Sequence, residues 1–254
     1  MMTSFATAVC LEIKKMRRLW VWPIALALVG AGLALSAPSS QSTVAKAEDP
    51  WPSLLLVITL TTAIISPILV AVLASRLTEV EHVSGGWTMS AAAGLAPGRL
   101  CRAKLVALSS ILIPVVILTV GVPMLTLHAL GPAAEPNFNA WGGYALALLC
   151  IDLVACGLHI LVSAIVENQI VGIGVGFLGS FIAVFSLLLP PWLARLIPWG
   201  YWALITPVMQ VGDLDAGTQA VVYTDVAWWW IAGFCLLGMA IFGLVTARLN
   251  RIER

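Results

Sequence analysis

Charge is scarce in this sequence: only 10% of its 254 residues are Asp, Glu, Lys or Arg, against 61% that are hydrophobic. A soluble domain carries roughly 25% charged residues. A mean hydropathy of +1.01 therefore excludes an ordinary water-soluble enzyme and requires lipid as solvent. The net charge of +1 offers no basic surface for nucleic acid, so no nucleic-acid partner is expected. Lysine is scarce, and none of Lys14, Lys15, Lys46 and Lys104 follows a glycine. The Gly-Lys-Ser/Thr of an ATP-binding loop is thus missing, and any ATP-driven work must be done by another polypeptide. The cysteines, Cys10, Cys101, Cys150, Cys156 and Cys235, are divided between polar segments and apolar runs and imply no disulfide framework. Neither Gly-x-Ser-x-Gly nor His-Glu-x-x-His occurs, and His82, His128 and His159 are too scattered to suggest a metal site.

What the chain does have is long apolar runs. A helix needs about 20 apolar residues to cross a bilayer, and six stretches approach that length: 20–37, 53–74, 105–127, 143–166, 170–189 and 227–247. The expected fold class is an all-α membrane protein with six transmembrane helices, folded as a single domain over 1–254. Short cytoplasmic segments are enriched in Lys and Arg. With both termini inside, Lys14, Lys15, Arg17, Arg18, Arg76, Arg99, Arg102, Lys104, Arg248, Arg251 and Arg254 are cytoplasmic, and only Lys46 and Arg195 lie outside. Trp51, Trp141 and Trp228 to Trp230 then fall at the outer ends of spans, where amphipathic rings prefer the interface. The N-terminus mimics a secretory signal, because four basic residues precede an apolar run. Trp20, Trp22 and Pro23 at the start of that run favour an anchor that stays in place.

Three segments outside the spans have character. Residues 1–19 place Phe5, Val9, Ile13 and Met16 near one helical face, which predicts an interfacial helix on the inner membrane surface. The stretch 75–104 is the longest cytoplasmic loop. The stretch 190–226 is semi-apolar but broken by Pro191, Pro198 and Pro207, and is expected to dip into the outer leaflet without crossing it.

Within the spans, Gly174 to Gly179 spells the dinucleotide fingerprint G-x-G-x-x-G, but that motif needs a preceding strand and a helix start facing water. Close helix packing through Gly172, Gly176 and Gly179 is the better reading, either within the chain or against a second copy. Asp152 and His159 lie seven residues apart and share a face of the fourth span. Intramembrane ionisable groups are costly and call for a functional hypothesis. A polar face turned toward the bundle interior or a partner is preferred over an intramembrane hydrolase. In the 75–104 loop, Glu79 and Glu81 beside His82 and Trp87 offer charge and an aromatic anchor to a cytoplasmic partner. A solvated loop whose basic residues only fix orientation remains the equal alternative.

The order of these features resembles the permease subunits of ABC-2 type ATP-binding-cassette exporters, in particular the lantibiotic-immunity and bacitracin-resistance branch. The resemblance rests on the N-terminal surface helix, the six spans, the pattern Arg76-x-x-x-x-Glu81-His82-x-x-x-x-Trp87, the downstream Pro97-x-Arg99-x-x-x-x-Lys104, and the broken apolar segment before the last span. It implies a coupling helix in the first cytoplasmic loop, with Glu79, Glu81, His82 and Trp87 as contacts to a cytoplasmic ATPase subunit. It also implies a second permease chain, the same or similar. No cofactor is expected on this chain; ATP and Mg would sit on the ATPase. The implied activity is non-catalytic: ATP-driven export of an antimicrobial, lantibiotic-like peptide from a bacterial cytoplasmic membrane. A lipid, glycan or small drug is the alternative cargo, and a membrane sensor or scaffold is a further reading. Gly85 and Gly86 depart from the pattern, since each glycine weakens a helix by about 1 kcal/mol.

Overall fold

The computed structural model describes residues 4–44, 49–212 and 220–252. Its elements are almost entirely helical: α1 (Phe5–Arg18), α2 (Val21–Val44), α3 (Pro50–Val83), α4 (Gly86–Ala92), α5 (Pro97–Ala129), α6 (Phe138–Ile165), α7 (Gln169–Ser186), α8 (Pro191–Ala194), a 3-10 turn (Pro198–Gly200), α9 (Tyr201–Leu204) and α10 (Trp228–Ile252). The helical bundle also carries one short hairpin that the sequence did not signal. Val208–Val211 (β1) and Ala220–Tyr223 (β2) form an antiparallel pair, with Val208 opposite Tyr223. Both strands are short and rich in valine, which suits a pleated surface.

Helix boundaries follow local chemistry. Asp49 caps α3 by accepting from the Trp51 N–H at 3.0 Å, with Pro50 in the first turn. There the missing proline N–H costs nothing. Asn137 and Asn168 cap α6 and α7 in the same way, accepting from Ala140 and Ile170 at 3.2 and 2.9 Å. Charged side chains do not by themselves end a helix, since Lys, Arg and Glu are good helix formers. The helix expected to stop at residue 74 therefore runs on to Val83, and α5 begins at Pro97. Most of the expected 75–104 loop is consequently helical.

At 1.5 Å per residue the 34 residues of α3 extend for about 50 Å, well past a hydrocarbon core of about 30 Å. Five helices, α3, α5, α6, α7 and α10, are long and apolar enough to cross a membrane, and α1 with α2 makes a sixth if that bent pair is one span. The pair is bent by 64° at Trp20, whose φ of 57° is an unusual conformation for an aromatic residue.

Helix α3 is the axle of the bundle, packed against α2, α6 and α7, while α10 lies at the periphery on α5 and α6. Leu236, Leu237 and Leu244 of α10 are exposed, as a helix face against lipid would be. The bundle has two distinct ends. At one end gather α1, the end of α3, α4, the start of α5 and the end of α10. The basic residues of these elements cluster there, and Arg102 donates to Thr246 at 2.8 Å and to the Gly243 carbonyl at 3.2 Å. At the other end Trp51 meets Trp141 edge-on at 5.9 Å and donates to the Ala134 carbonyl at 2.7 Å. Trp228 lies beside Gly143.

Candidate functional site

The basic end is organised around one buried amine. Lys104, on the first turns of α5, is fully buried and donates to Glu12 Oε2, Glu81 Oε1 and the Leu77 carbonyl, each at 2.8 Å. Three acceptors satisfy the three protons of an ammonium group. Lys15 closes the cluster by donating to Glu12 Oε1 and Glu81 Oε1, both at 2.6 Å. Two carboxylates and two ammonium groups thus balance in charge and tie α1, α3 and α5 together. Partial burial of Lys15 opposes its charge, but the hydrogen bonds and fields of Glu12 and Glu81 outweigh that and raise its pKa above the ordinary lysine value.

This arrangement sets which face of α1 meets the bundle, and Met16 of the expected apolar set belongs to it. The residues turned into the bundle are Ala8, Glu12 and Met16, whereas Phe5 and Ile13 of the expected apolar face are exposed. A carboxylate takes the inward position because Lys104 waits there. The outward apolar face is left to the surroundings.

The four residues singled out in the 75–104 segment have different surroundings. Glu81 is 2% exposed and faces Lys104, not solvent. His82 Nε2 lies 2.8 Å from the Ser163 carbonyl and ties the end of α3 to α6, while its ring meets Trp87 at 5.7 Å where α4 folds back onto α3 and α5. Glu79 stays near the surface, 3.7 Å from Arg76. The two glycines that interrupt the pattern are structural necessities. Gly85 has φ +64°, and a Cβ on Gly86 would collide with the Glu81 carboxylate. They end α3, start α4 and let the turn close over the ion cluster. On α4, Met89 is 69% exposed beside the exposed Thr88, and Val83 at the end of α3 is 80% exposed.

The glycine face of α7 packs within the chain. A Cβ on Gly172 would meet Ser75, one on Gly176 would strike Ala71 and the Pro67 carbonyl, and one on Gly179 would strike the Trp199 indole. Helix α7 thus reaches α3 at backbone distance, and Ser75 and Ser163 share a hydrogen bond at 3.2 Å beside it.

Asp152 and His159 are both buried on α6, but no hydrogen bond joins them among the described residues. Asp152 instead accepts from Trp202 Nε1 at 2.9 Å, and His159 Nδ1 has no partner. Trp202 belongs to α9, in the segment before the last span, and Asp152 sits midway along α6. The segment 191–206 therefore reaches deep between α3, α6 and α7. Thr206 meets Thr59 there at 3.1 Å and Trp199 covers Gly179. His159, Trp199, Trp202 and Phe234 line a small apolar cavity of about 150 Å³.

Glu12, Lys15 and Lys104 were not singled out by sequence as a site. The available signal was Glu12 three residues before Lys15 on a helix otherwise free of acids, together with a lone lysine at the head of an apolar run. No known family matches the chain, and no curated protein is significantly similar to it.

Proposed function

We propose that this chain is the membrane-spanning permease subunit of an ATP-driven exporter of the ABC-2 type, performing no chemistry itself and worked by a separate cytoplasmic ATPase. In this reading both termini and the basic end face the cytoplasm of a bacterial cell, in keeping with the distribution of Lys and Arg. The observation that carries the proposal is the short helix α4, capping two helices that outreach the bilayer. Its exposed Met89, with Val83 at the end of α3, offers an apolar knob of the kind that seats in a groove on a partner. The ion cluster beneath gives the knob mechanical purchase, because α3, α5 and α1 are bound to one another through Lys104 and cannot shift independently. A partner that contacts α4 differently in two nucleotide states would bias the whole bundle between two arrangements.

Within this reading Glu79 and Met89 touch the ATPase, His82 and Trp87 shape the docking turn, and Glu81 acts through Lys104. Two permease chains pair with two ATPases. The cargo we assign is an amphipathic antimicrobial peptide taken from the membrane, a reading supported by the exposed Trp192 and Trp229 at the opposite end, where such a peptide would reside. Tagged chain purified in mild detergent should bring down a Walker-motif ATPase, and Met89→Asp should lose that subunit while the chain stays monodisperse. Recovery of no ATPase from wild type would overturn the proposal.

A further inference from the structure

Arg195 stands apart from every other cation. Among the described residues it is the one Lys or Arg at the tryptophan-rich end, and no carboxylate lies within ion-pairing distance of it. Its guanidinium rests on the Trp230 ring, 4.7 Å from the centroid, and its buried Nε has no hydrogen-bond partner. Leaving such a donor unsatisfied is costly, and a forked guanidinium matches phosphate geometry. Arg195 sits at the mouth of a groove of about 370 Å³, whose walls include Pro198, Phe234, Leu237 and Ile241. Tyr201 stacks on Phe234 at 4.0 Å and stiffens the floor. Gly233 also lines the groove, and a Cβ there would meet nothing within 4 Å. From Trp230 to Ile241 the groove follows α10 for about 16 Å at 1.5 Å per residue. That is roughly half of a hydrocarbon core about 30 Å thick, the depth of one leaflet.

A phosphate-matching cation at the interface above an apolar slot one leaflet deep describes a single ligand chemistry. We propose that Arg195 and the α10 groove form a binding site for one anionic phospholipid, its phosphate on the guanidinium and an acyl chain along Phe234, Leu237 and Ile241. The site goes beyond the transporter reading and needs no ATPase, only that the chain sits in a bilayer. Basic pockets between helices hold anionic lipid headgroups on the cytoplasmic side of membranes, and Arg195 offers the same chemistry at the opposite end. The stacked Trp230 presets the plane of the guanidinium before the lipid arrives.

The test uses full-length chain in nanodiscs of equal parts phosphatidylglycerol and phosphatidylcholine, released into native mass spectrometry. Wild type should retain one phosphatidylglycerol, favoured about fivefold over phosphatidylcholine, the selectivity expected of one basic residue at the membrane surface. Arg195→Gln should lose the preference and Arg195→Lys should keep part of it. Gly233→Leu adds a side chain to a wall of the groove where a Cβ meets nothing within 4 Å and should lose retention of both lipids. Should Arg195→Gln fail to fold, Gly233→Leu decides. Equal retention of the two lipids by wild type, or unchanged retention in Gly233→Leu, would overturn the proposal.

Discussion

At the scale of single residues, Lys104 governs the basic end. Burying an ion pair is a poor source of net stability, but deleting one partner strands the other charge. Lys104→Met leaves Glu12 and Glu81 buried with Lys15 alone and should destabilise the protein by about 3–5 kcal/mol, measured by thermal unfolding in detergent. Arg76→Ala, which breaks an exposed 3.7 Å pair, should cost less than about 1 kcal/mol in the same assay. Equal effects of the two substitutions would mean that the cluster is not a keystone. The sequence made Glu81 prominent but not its destination. A carboxylate in a polar loop and a carboxylate under a helical turn look alike until the partner cation, distant in the chain, is placed beside it.

At the scale of elements, the α3–α7 contact and the α3–α4 turn depend on absent side chains. Gly176→Ala would drive a methyl into Ala71 and the Pro67 carbonyl and should destabilise by about 1–3 kcal/mol. Gly174→Ala, two residues away with nothing within 4 Å, should be neutral to within about 1 kcal/mol. Comparing their unfolding temperatures separates helix packing from helix propensity, and equal losses would contradict the packing. The spans were legible because long apolar runs leave few alternatives. Their ends were not, because α3 and α5 continue as polar helices with no change of period to mark the membrane boundary. The β1–β2 pair escaped notice for a similar reason: four-residue strands among prolines and aromatics carry too little alternation to stand out. Likewise, Pro191, Pro198 and Pro207 signalled that the 190–226 segment was broken, but not that Trp202 would reach Asp152.

At the scale of the whole molecule, the bundle is polarised, with buried ion pairs and basic residues at one end and tryptophans at the other. If the basic end faces the cytoplasm, Cys10, the exposed cysteine on α1, should react with a membrane-impermeant maleimide in inside-out vesicles and stay unlabelled in right-side-out ones. The reverse pattern would invert the molecule and move α4 away from any cytoplasmic motor. The proposed function turns on α4 as the place where a separate ATPase takes hold. It is tested most directly by placing the photo-cross-linker p-benzoylphenylalanine at Met89 or at Trp192, at opposite ends of the bundle, and irradiating intact cells. The account predicts an adduct with a Walker-motif ATPase from position 89 and none from position 192. No ATPase adduct from position 89, or one from position 192, would contradict it.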